Sequence, residues 1–410
     1  MIGTKRIYKT SIQIIDGDRG INYPNQSEFF ESGYCLFLNT GNVTKEGFDF
    51  SKCSFISKPK DEKLRKGKLK RGDLVLTTRG TVGNIAVFVD AINYDHIRIN
   101  SGMVILRPDK DEYNNIFLYY LIKSNYIQEQ IQLFSSGTAQ PQLPIKDLRK
   151  ISLPETDIKL QHRIASILSA YDDLIEVNNQ RIKLLEETAR ELYKEWFVRM
   201  RFPGHKEAKF VKGMPKGWEV KKLSELVRTQ YGFTASATNE NIGPKLLRIT
   251  DVANGDINWD DVPHCAISEK DEDKYLLNNG DIVVARTGAT VGYAKRINKY
   301  HPKSVFASYL VRLKSIDSNM SYYIGIIAES DNYKEFIQAV ASGAAQPQAN
   351  ANLMTGFSLF KPTDSLILKF NKIVEPIIDQ KETLQQQNTQ LRQIRDRLLP
   401  RLISGKLEVK

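Results

Sequence analysis

The 410-residue sequence is poor in the residues that form disulfides and metal sites. Its three cysteines, Cys35, Cys53 and Cys265, are odd in number and show no CxxC spacing. We therefore expect reduced, buried thiols rather than a disulfide or a metal-binding set. The five histidines are scattered and show no HxxxH spacing, and His264 next to Cys265 is a lone pair without further ligands nearby in the sequence. This pattern predicts no metal site.

Long apolar runs are also missing. No stretch approaches the roughly 18 apolar residues that a membrane-spanning helix needs. The N-terminal segment MIGTKRIYKTSIQIIDGD contains no apolar region of the kind found in signal peptides. We therefore expect a cytoplasmic protein that does not contact a membrane.

Catalytic motifs are absent as well. The sequence has no Pro-Pro dipeptide, and so lacks the [DN]-PP-[FYW] pocket of adenine-N6 methyltransferases. No glycine-rich loop is followed by Lys-Ser or Lys-Thr, which excludes a P-loop ATPase. The acidic residues show no paired spacing that would mark a nuclease. We therefore predict a non-catalytic chain without a cofactor.

What the sequence does contain is an internal repeat. The segment GDLVLTTRGTVG at 72–83 matches GDIVVARTGATVG at 280–292, and LFLNTGNV at 36–43 matches KLLRITDV at 245–252. The loop SSGTAQPQ ends at Gln142, and its copy ASGAAQPQ ends at Gln348, 206 positions later. Val43 and Val252 are 209 positions apart. Three matched segments in the same order indicate a duplicated domain.

Each copy is followed by apolar residues that step by four and three, the pattern of a coiled-coil helix. We expect the two long helices to pack against each other in antiparallel fashion. The polar seam residues Asn178 and Gln387 either fix the register of this pair or lie in a partly solvated seam. The predicted seam residues are Ile164, Leu168, Ile175, Asn178, Ile182 and Leu185 in the first helix, and Ile373, Ile377, Leu384, Gln387, Leu391 and Ile394 in the second.

These patterns predict an α+β fold in which two pseudo-repeated α/β domains are separated by two long antiparallel coiled-coil helices. Strands flank the glycine-containing turns, and amphipathic helices follow them. The predicted borders are 1–156 for the first domain, 157–200 for the first long helix, 201–217 for a linker, 218–363 for the second domain and 364–410 for the second helix.

The chain is basic and contains a strongly basic segment. The net charge is +11, which suggests a polyanionic partner. The segment 58–71 has eight Lys or Arg residues, among them Lys66, Lys68 and Lys70, and could bind a phosphate backbone. A solvated loop is the alternative. Arg79 and Arg286 lie in the two hairpin turns, where they could contact guanine or phosphate or form structural ion pairs.

Taken together, these motifs resemble the specificity subunits of type I restriction–modification systems. The resemblance covers essentially the whole chain and includes the repeated turn, the doubled GxAQPQ loop, the segment MPKGWEVKKLSEL and the two long helices. It implies that each globular half reads one part of a split, asymmetric site in double-stranded DNA. It also implies that the helices set the gap and carry methyltransferase subunits, two by pseudo-symmetry, together with restriction (translocase) subunits. The first half departs from the pattern because it lacks the PKGW opening.

The duplication also divides the candidate DNA-binding residues into those that the two copies share and those that differ between them. Two domains that read different sequences must differ where they touch bases, so the shared glutamines are better suited to fixing the loop, contacting phosphate or docking a partner. We expect base reading where the copies diverge, in 16–26 against 231–243 and in Thr78-Arg79 against Arg286-Thr287. The candidates are Arg19, Tyr23, Lys66, Lys68, Lys70, Arg79, Gln140, Gln142, Tyr231, Thr234, Arg248, Arg286, Thr287, Gln346 and Gln348. The rival interpretation is a coiled-coil scaffold that binds proteins without DNA specificity.

Overall fold

The computed structural model describes residues 3–137, 141–253, 255–341, 348–404 and 406–407. The chain divides into two compact units. Unit 1 comprises Met1–Glu176 and Thr389–Lys410, and unit 2 comprises Val177–Asn388. Both divisions fall inside long helices, so each unit contains a globular part and one portion of each long helix.

Short strands and helices alternate along the described residues. The strands are β1 (Thr4–Arg6), β2 (Gln13–Asp16), β3 (Cys35–Leu38), β4 (Val43–Thr44), β5 (Gly47–Phe48), β6 (Phe55–Ile56), β7 (Leu74–Thr77), β8 (Ile85–Val87), β9 (Ile97–Ile99), β10 (Met103–Arg107), β11 (Ser152–Pro154), β12 (Phe210–Val211), β13 (Met214–Pro215), β14 (Glu219–Lys222), β15 (Val227–Tyr231), β16 (Lys245–Leu247), β17 (Ile282–Ala285), β18 (Ala294–Arg296), β19 (Ser304–Phe306), β20 (Leu310–Ser315) and β21 (Ser358–Lys361). The α-helices are α1 (Lys58–Lys63), α2 (Asn115–Lys123), α3 (Asn125–Phe134), α4 (Ile145–Leu148), α5 (Ile158–Tyr193), α6 (Ile249–Val252), α7 (Glu269–Tyr275), α8 (Ser321–Ala328), α9 (Asp331–Ala341), α10 (Ala351–Met354) and α11 (Asp364–Ile403).

The two units repeat one sheet topology. In unit 1 a four-stranded antiparallel sheet has the order β2-β10-β7-β8, and in unit 2 the order is β15-β20-β17-β18. A parallel pair accompanies each sheet, β3 with β9 and β16 with β19. A further antiparallel pair joins the start of each repeat to the strand before its long helix, β1 with β11 and β14 with β21. The predicted α+β class and the internal repeat are confirmed.

Apolar strand residues build the core of each unit. The strand β7 has only buried residues, as does β17, because α-helices cover one face of the sheet and the parallel pair covers the other. In unit 1, Asn114 caps α2 by accepting a hydrogen bond from the amide of Phe117 (2.9 Å). Phe117 and Leu118 then lie fully buried against the sheet.

The long helices α5 and α11 run antiparallel within each unit. In unit 2, Asn178 donates a hydrogen bond to Asn388 (2.9 Å), and Lys381 forms an ion pair with Glu186 (2.8 Å). In unit 1, Arg395 forms an ion pair with Asp172. The residue number rises along α5 as that of its partner falls along α11. The pairing therefore matches the predicted antiparallel arrangement.

The seam of α5 lies at the predicted positions, whereas the seam of α11 is shifted by one residue. Along α5 the predicted residues are buried, apart from the half-buried Leu185. Along α11, Leu384 is buried, and Ile377 and Leu391 are half-buried. The seam predicted at Ile373, Gln387 and Ile394 was wrong, because these side chains are exposed while the next residues, Val374, Asn388 and Arg395, are buried. Hydrogen-bonded amides and paired charges occupy the α11 seam, so apolar periodicity located it one residue too early.

None of the helices among the described residues is long and apolar enough to cross a membrane.

Candidate nucleic-acid interface

In unit 1, the turn at Asn100–Gly102 between β9 and β10 gathers several predicted DNA-binding residues. The guanidinium of Arg19 donates to the carbonyl of Ser101 (3.2 Å) and to the carboxylate of Asp16 (3.2 Å). The backbone amide of Arg79 donates to the carbonyl of Gly102 (3.1 Å). Arg19 and Arg79 are exposed, and the Arg79 side chain has no hydrogen bond to the described residues. We call the loops around this turn cluster 1, with Arg19, Tyr23, Lys66 and Arg79 as its members.

Asp18 fastens two loops of cluster 1 together. Its carboxylate accepts hydrogen bonds from the backbone amides of Gly20 (2.9 Å) and Arg65 (2.8 Å). The bond from Gly20 does most to lower the pKa of Asp18, and bonds from Arg65, Lys66 and Arg19 act in the same direction against the effect of burial. The loop that carries Arg19 is thereby fixed next to Lys66. The sequence analysis missed Asp18, although an aspartate between two turn glycines was a usable signal.

Tyr23 is a less accessible member of cluster 1. Its ring packs edge-on against Phe37, with centroids 5.7 Å apart. Burial raises the pKa of Tyr23, while hydrogen bonding with Ser101 opposes the shift. The ring therefore supports the loop, and its half-buried edge alone is available to a ligand.

The basic segment 58–71 contains both free and paired lysines. Lys68 is paired with the buried carboxylate of Asp61 (2.5 Å), which also accepts from Arg98 (2.5 Å). Burial opposes the charge on Asp61, yet its hydrogen bonds with Lys68 and Arg98 hold its pKa below the usual value. In contrast, Lys66 and Lys70 are exposed and form no ion pair with the described residues. Of the three predicted phosphate-binding lysines, Lys68 is thus also a structural residue.

Unit 2 presents a corresponding group of loops, which we call cluster 2, with Tyr231, Thr234, Arg286, Thr287 and Tyr309 as its members. The backbone amide of Arg286 donates to the carbonyl of Tyr309 (3.0 Å) in the turn between β19 and β20. The guanidinium of Arg286 lies over the ring of Tyr231, 4.9 Å from its centroid. The hydroxyl of Tyr231 in turn accepts from the backbone amide of Ala351 (3.0 Å). Thr234 is exposed, Thr287 is half-buried, and the Nε of Arg286 is buried without a hydrogen-bond partner among the described residues.

Tyr309 was not predicted from the sequence. Its side chain is 57% exposed beside Arg286, in the position that Gly102 has in cluster 1. The strand pairing that brings this turn beside the hairpin is non-local, so the sequence offered no direct signal. An exposed aromatic ring next to an arginine is well suited to contact a base or a sugar.

The repeated GxAQPQ loops return to the hairpin turns in the same way in both units. The amide of Leu143 donates to the carbonyl of Thr78 (2.9 Å), and the amide of Ala349 donates to the carbonyl of Arg286 (2.9 Å). Short β-bridges join Arg79 to Gln142 and Thr287 to Gln348. Gln142 and Gln348 are exposed beside the turns. The other two predicted glutamines, Gln140 and Gln346, lie outside the described residues.

Strand register identifies which residues of the two clusters are equivalent. Val104 of β10 pairs with Leu76 and Asp16, and Val311 of β20 pairs with Val284 and Tyr231. Asp16 is therefore the counterpart of Tyr231. Counting from the hairpin strands, Thr78 corresponds to Arg286 and Arg79 to Thr287, and the next residues, Gly80 and Gly288, share a φ of +71°. The two arginines thus occupy adjacent rather than equivalent positions.

Arg248 serves mainly to stabilise its own helix. Its guanidinium donates twice to Asp251 (3.0 and 2.8 Å), and its backbone amide donates to the same carboxylate. The hydrogen bond with Asp251 raises the pKa of Arg248. The corresponding residue in unit 1 is Asn39, which accepts from the amide of Gly41 (2.8 Å). No group of His, Cys, Asp and Glu residues in the described ranges is arranged to hold a metal ion.

Comparison with known proteins agrees with this arrangement. Residues 15–187 match the family described as the type I restriction modification DNA specificity domain. The chain resembles the specificity subunits of type I restriction enzymes. It is 28% identical to the MjaIX specificity subunit of Methanocaldococcus jannaschii, over 83% of this chain and 78% of that protein. It is 24% identical to the HindI specificity subunit of Haemophilus influenzae, over 95% of this chain and 98% of that protein.

A solved structure shares the fold. The S subunit of a type I restriction–modification system from M. genitalium superposes with a TM-score of 0.54 at 16% identity, covering 98% of this chain and 95% of that one. At that identity the likeness concerns the fold alone. The matches to specificity subunits confirm the resemblance that the sequence indicated.

Proposed function

We propose that the chain is a non-catalytic specificity subunit that binds double-stranded DNA, with cluster 1 reading one segment and cluster 2 another. One observation carries this proposal. The two units hold the same loops with the same backbone contacts, but they place different side chains at equivalent positions, Thr78-Arg79 in one and Arg286-Thr287 in the other. Two domains that read different sequences need such an arrangement.

The chemistry of each cluster suits a duplex. Arg79 is an exposed guanidinium on a fixed turn, and arginine binds guanine O6 and N7 through two hydrogen bonds. In cluster 2 the ring of Tyr231 holds the guanidinium of Arg286, which reduces the entropy lost on binding. Lys66 and Lys70 are free to contact phosphates and release counterions.

Selection of duplexes from a randomised library tests the proposal. The purified chain should enrich a split sequence with two defined segments. Arg79→Ala should relax one position in one segment, and Arg286→Ala should relax one position in the other, each at a cost of about 1–3 kcal/mol. Lys150→Ala is a matched control, since Lys150 pairs with Asp147 and contacts neither cluster. If both arginine variants retain the full preference, these residues do not read bases.

The rival function is a scaffold that binds only proteins. A gel-shift assay with random duplexes at low salt distinguishes the two, because a DNA-binding subunit retains non-specific affinity from its lysines. Failure to retain any duplex would favour the scaffold.

We further propose that the helices α5 and α11 set the gap between the two DNA segments and carry two methyltransferase subunits as well as restriction subunits. The internal repeat supports this proposal, because it provides each partner-binding surface twice, once in each half of the chain. A heptad inserted after Ile182 and another after Leu384, which are opposite positions of the seam, would keep the apolar register. Seven residues add about 10 Å, or about three base pairs at roughly 3.4 Å each, so the selected gap should lengthen by that amount.

The same double insertion distinguishes an effect on the gap length from an effect on base recognition. The two segment sequences should stay unchanged while the gap lengthens. An unchanged gap would contradict the spacer proposal. Native mass spectrometry of the assembled complex should show two methyltransferase subunits for each specificity chain.

A further inference from the structure

An ion pair between a buried arginine and an aspartate that is 31% exposed lies in the seam of α5 and α11 in unit 1. The guanidinium of Arg395 donates to Asp172, and the hydroxyl of Tyr120 donates to the other oxygen of the same carboxylate (2.5 Å). The Arg395 side chain is 9% exposed. Burial opposes the charge on Arg395, but hydrogen bonds with Asp396 and Asp172 more than offset it and raise its pKa.

A second ion pair lies in the seam in unit 2. The ammonium of Lys381 is 2.8 Å from the carboxylate of Glu186, and the two side chains are 13% and 25% exposed. Burial disfavours the charged lysine, yet the nearby charges of Glu329 and Glu186 raise its pKa. Lys381 is therefore a charged residue inside the helix pair.

The two ion pairs are related by the internal repeat. The offset of 209 residues converts position 172 into 381 and position 186 into 395. The same two seam positions are thus used in both helices with opposite charge: α5 carries both acids and α11 carries both bases. A chain built only by duplication would have the same charge in both helices, so this segregation requires a separate explanation.

The segregation matters for the choice of partner helix. In a symmetric pair of two α5 helices from different chains, position 172 would face position 186 of the other copy, and two carboxylates would meet at each site. A pair of two α11 helices would place Lys381 against Arg395 in the same manner. Like charges facing each other at these partly buried positions are costly, because neither charge is compensated.

The centre of the seam does not distinguish these alternatives. Asn388 accepts from Asn178 and donates to Asn179 (2.9 Å each). Asn179 and Asn388 are repeat equivalents, so two α5 helices could form similar amide contacts. Amides fix register, whereas the four charges distinguish one helix from the other.

We propose that Asp172 and Glu186 on α5, together with Lys381 and Arg395 on α11, select the pairing of α5 with α11 of the same chain and disfavour pairing with the same helix of a second copy. The wild-type chain should accordingly be a monomer when no other subunit is present.

Two variants of the full chain test this selection. An acidic variant (Lys381→Glu with Arg395→Glu) places acids on both helices, and a basic variant (Asp172→Lys with Glu186→Lys) places bases on both. Each variant alone should melt at a lower temperature than the wild type, because like charges meet in its own helix pair. Mixed after joint refolding, the two should form a one-to-one species of two chains, because each helix then finds an oppositely charged partner. Native mass spectrometry measures this species directly.

Two further chains complete the test. The quadruple variant, which combines all four substitutions, restores opposite charges within one chain and should return to a monomer with a near wild-type melting temperature. The control Glu187→Lys with Arg397→Glu reverses one acid and one base at exposed neighbouring positions and should change neither property.

The proposal is overturned if the acidic and basic variants both melt like the wild type. It is also overturned if the quadruple variant remains as destabilised as its parents. Should the single-sign variants fail to refold, recovery of the quadruple variant still supports the selection.

Discussion

Units 1 and 2 have the same framework but different side chains at the loops. The closest backbone approaches are the same: a β-carbon at Gly17 would lie 2.2 Å from the carbonyl oxygen of Asn100, and one at Gly232 would lie 2.2 Å from that of Ala307. Around these contacts the side chains differ between the two units. After Gly17 come Asp18 and Arg19, whereas after Gly232 come Phe233 and Thr234.

The comparison of the two units distinguishes the contacts that hold the loops in place from the side chains that face outward. Both hairpin turns use glycine at φ +71°, and both accept the GxAQPQ loop through one backbone hydrogen bond. The neighbouring loop is tied down by carboxylate–amide bonds of Asp18 in unit 1, but in unit 2 Phe233 packs against Tyr275, with centroids 5.3 Å apart. The two units thus share backbone contacts, while the side chains around those contacts differ.

The largest expected effect comes from filling the two shared close contacts. Gly17→Ala and Gly232→Ala should each reduce the free energy of unfolding by about 3 kcal/mol, because the added methyl group overlaps a backbone carbonyl that cannot move freely. All three tryptophans, Trp196, Trp218 and Trp259, lie in unit 2. In urea unfolding, Gly232→Ala should therefore shift the fluorescence midpoint more than Gly17→Ala, while both shift the circular dichroism.

Gly80→Ala and Gly288→Ala are the matched controls. Both glycines have φ +71°, but no atom lies within 4 Å of the added β-carbon. Only backbone strain of about 1 kcal/mol is then expected. If the controls lose as much stability as Gly17→Ala and Gly232→Ala, the close approach is not the cause.

The sequence predicted the repeat, the two long helices and the hairpin turns, because each has a local signature. Glycines mark the turns, and apolar steps of four and three mark the helices. The α11 seam was placed one residue early, since the half-buried Lys381 and the buried Asn388 and Arg395 lie in it through partners that are about two hundred residues away. Non-local pairing also explains why the turns at Ser101 and Tyr309 were not foreseen: they reach the hairpins only through β10 and β20.

Removing the carboxylate of Asp18, which has no counterpart in unit 2, should have a smaller effect on stability. Asp18→Asn should destabilise the loop of cluster 1 by about 1–2 kcal/mol, because a neutral amide accepts backbone hydrogen bonds less strongly. Hydrogen exchange should accelerate at the amides of Gly20 and Arg65. The exposed Asp90→Asn serves as a control, since its side chain is 97% exposed.

The Asp18 contact should also respond to acid. The pKa of Asp18 is lowered in the folded chain from an ordinary value of 3.8, so its stabilisation is complete above that value and is lost as the pH falls through the folded pKa. Exchange at Gly20 and Arg65 should therefore speed up relative to intrinsic rates below pH 4, and Asp18→Asn should abolish this dependence. The loop of unit 2 that is held by Phe233 should show no such change. Equal acid sensitivity in both loops would contradict the assignment.

The smallest effect concerns the contrast between the basic segment of unit 1 and the acidic α7 (EKDEDKY) of unit 2. Lys66→Gln and Lys70→Gln should each reduce the slope of log affinity against log salt by up to about 0.9, because each removes one free phosphate contact. Sequence preference should stay the same. Lys68→Gln should instead leave the slope nearly unchanged and lower the stability of unit 1, since its ammonium is already paired with Asp61. Fluorescence anisotropy at several salt concentrations measures the slopes, and a drop for Lys68→Gln as large as that for Lys66→Gln would show that the ion pair opens to contact DNA.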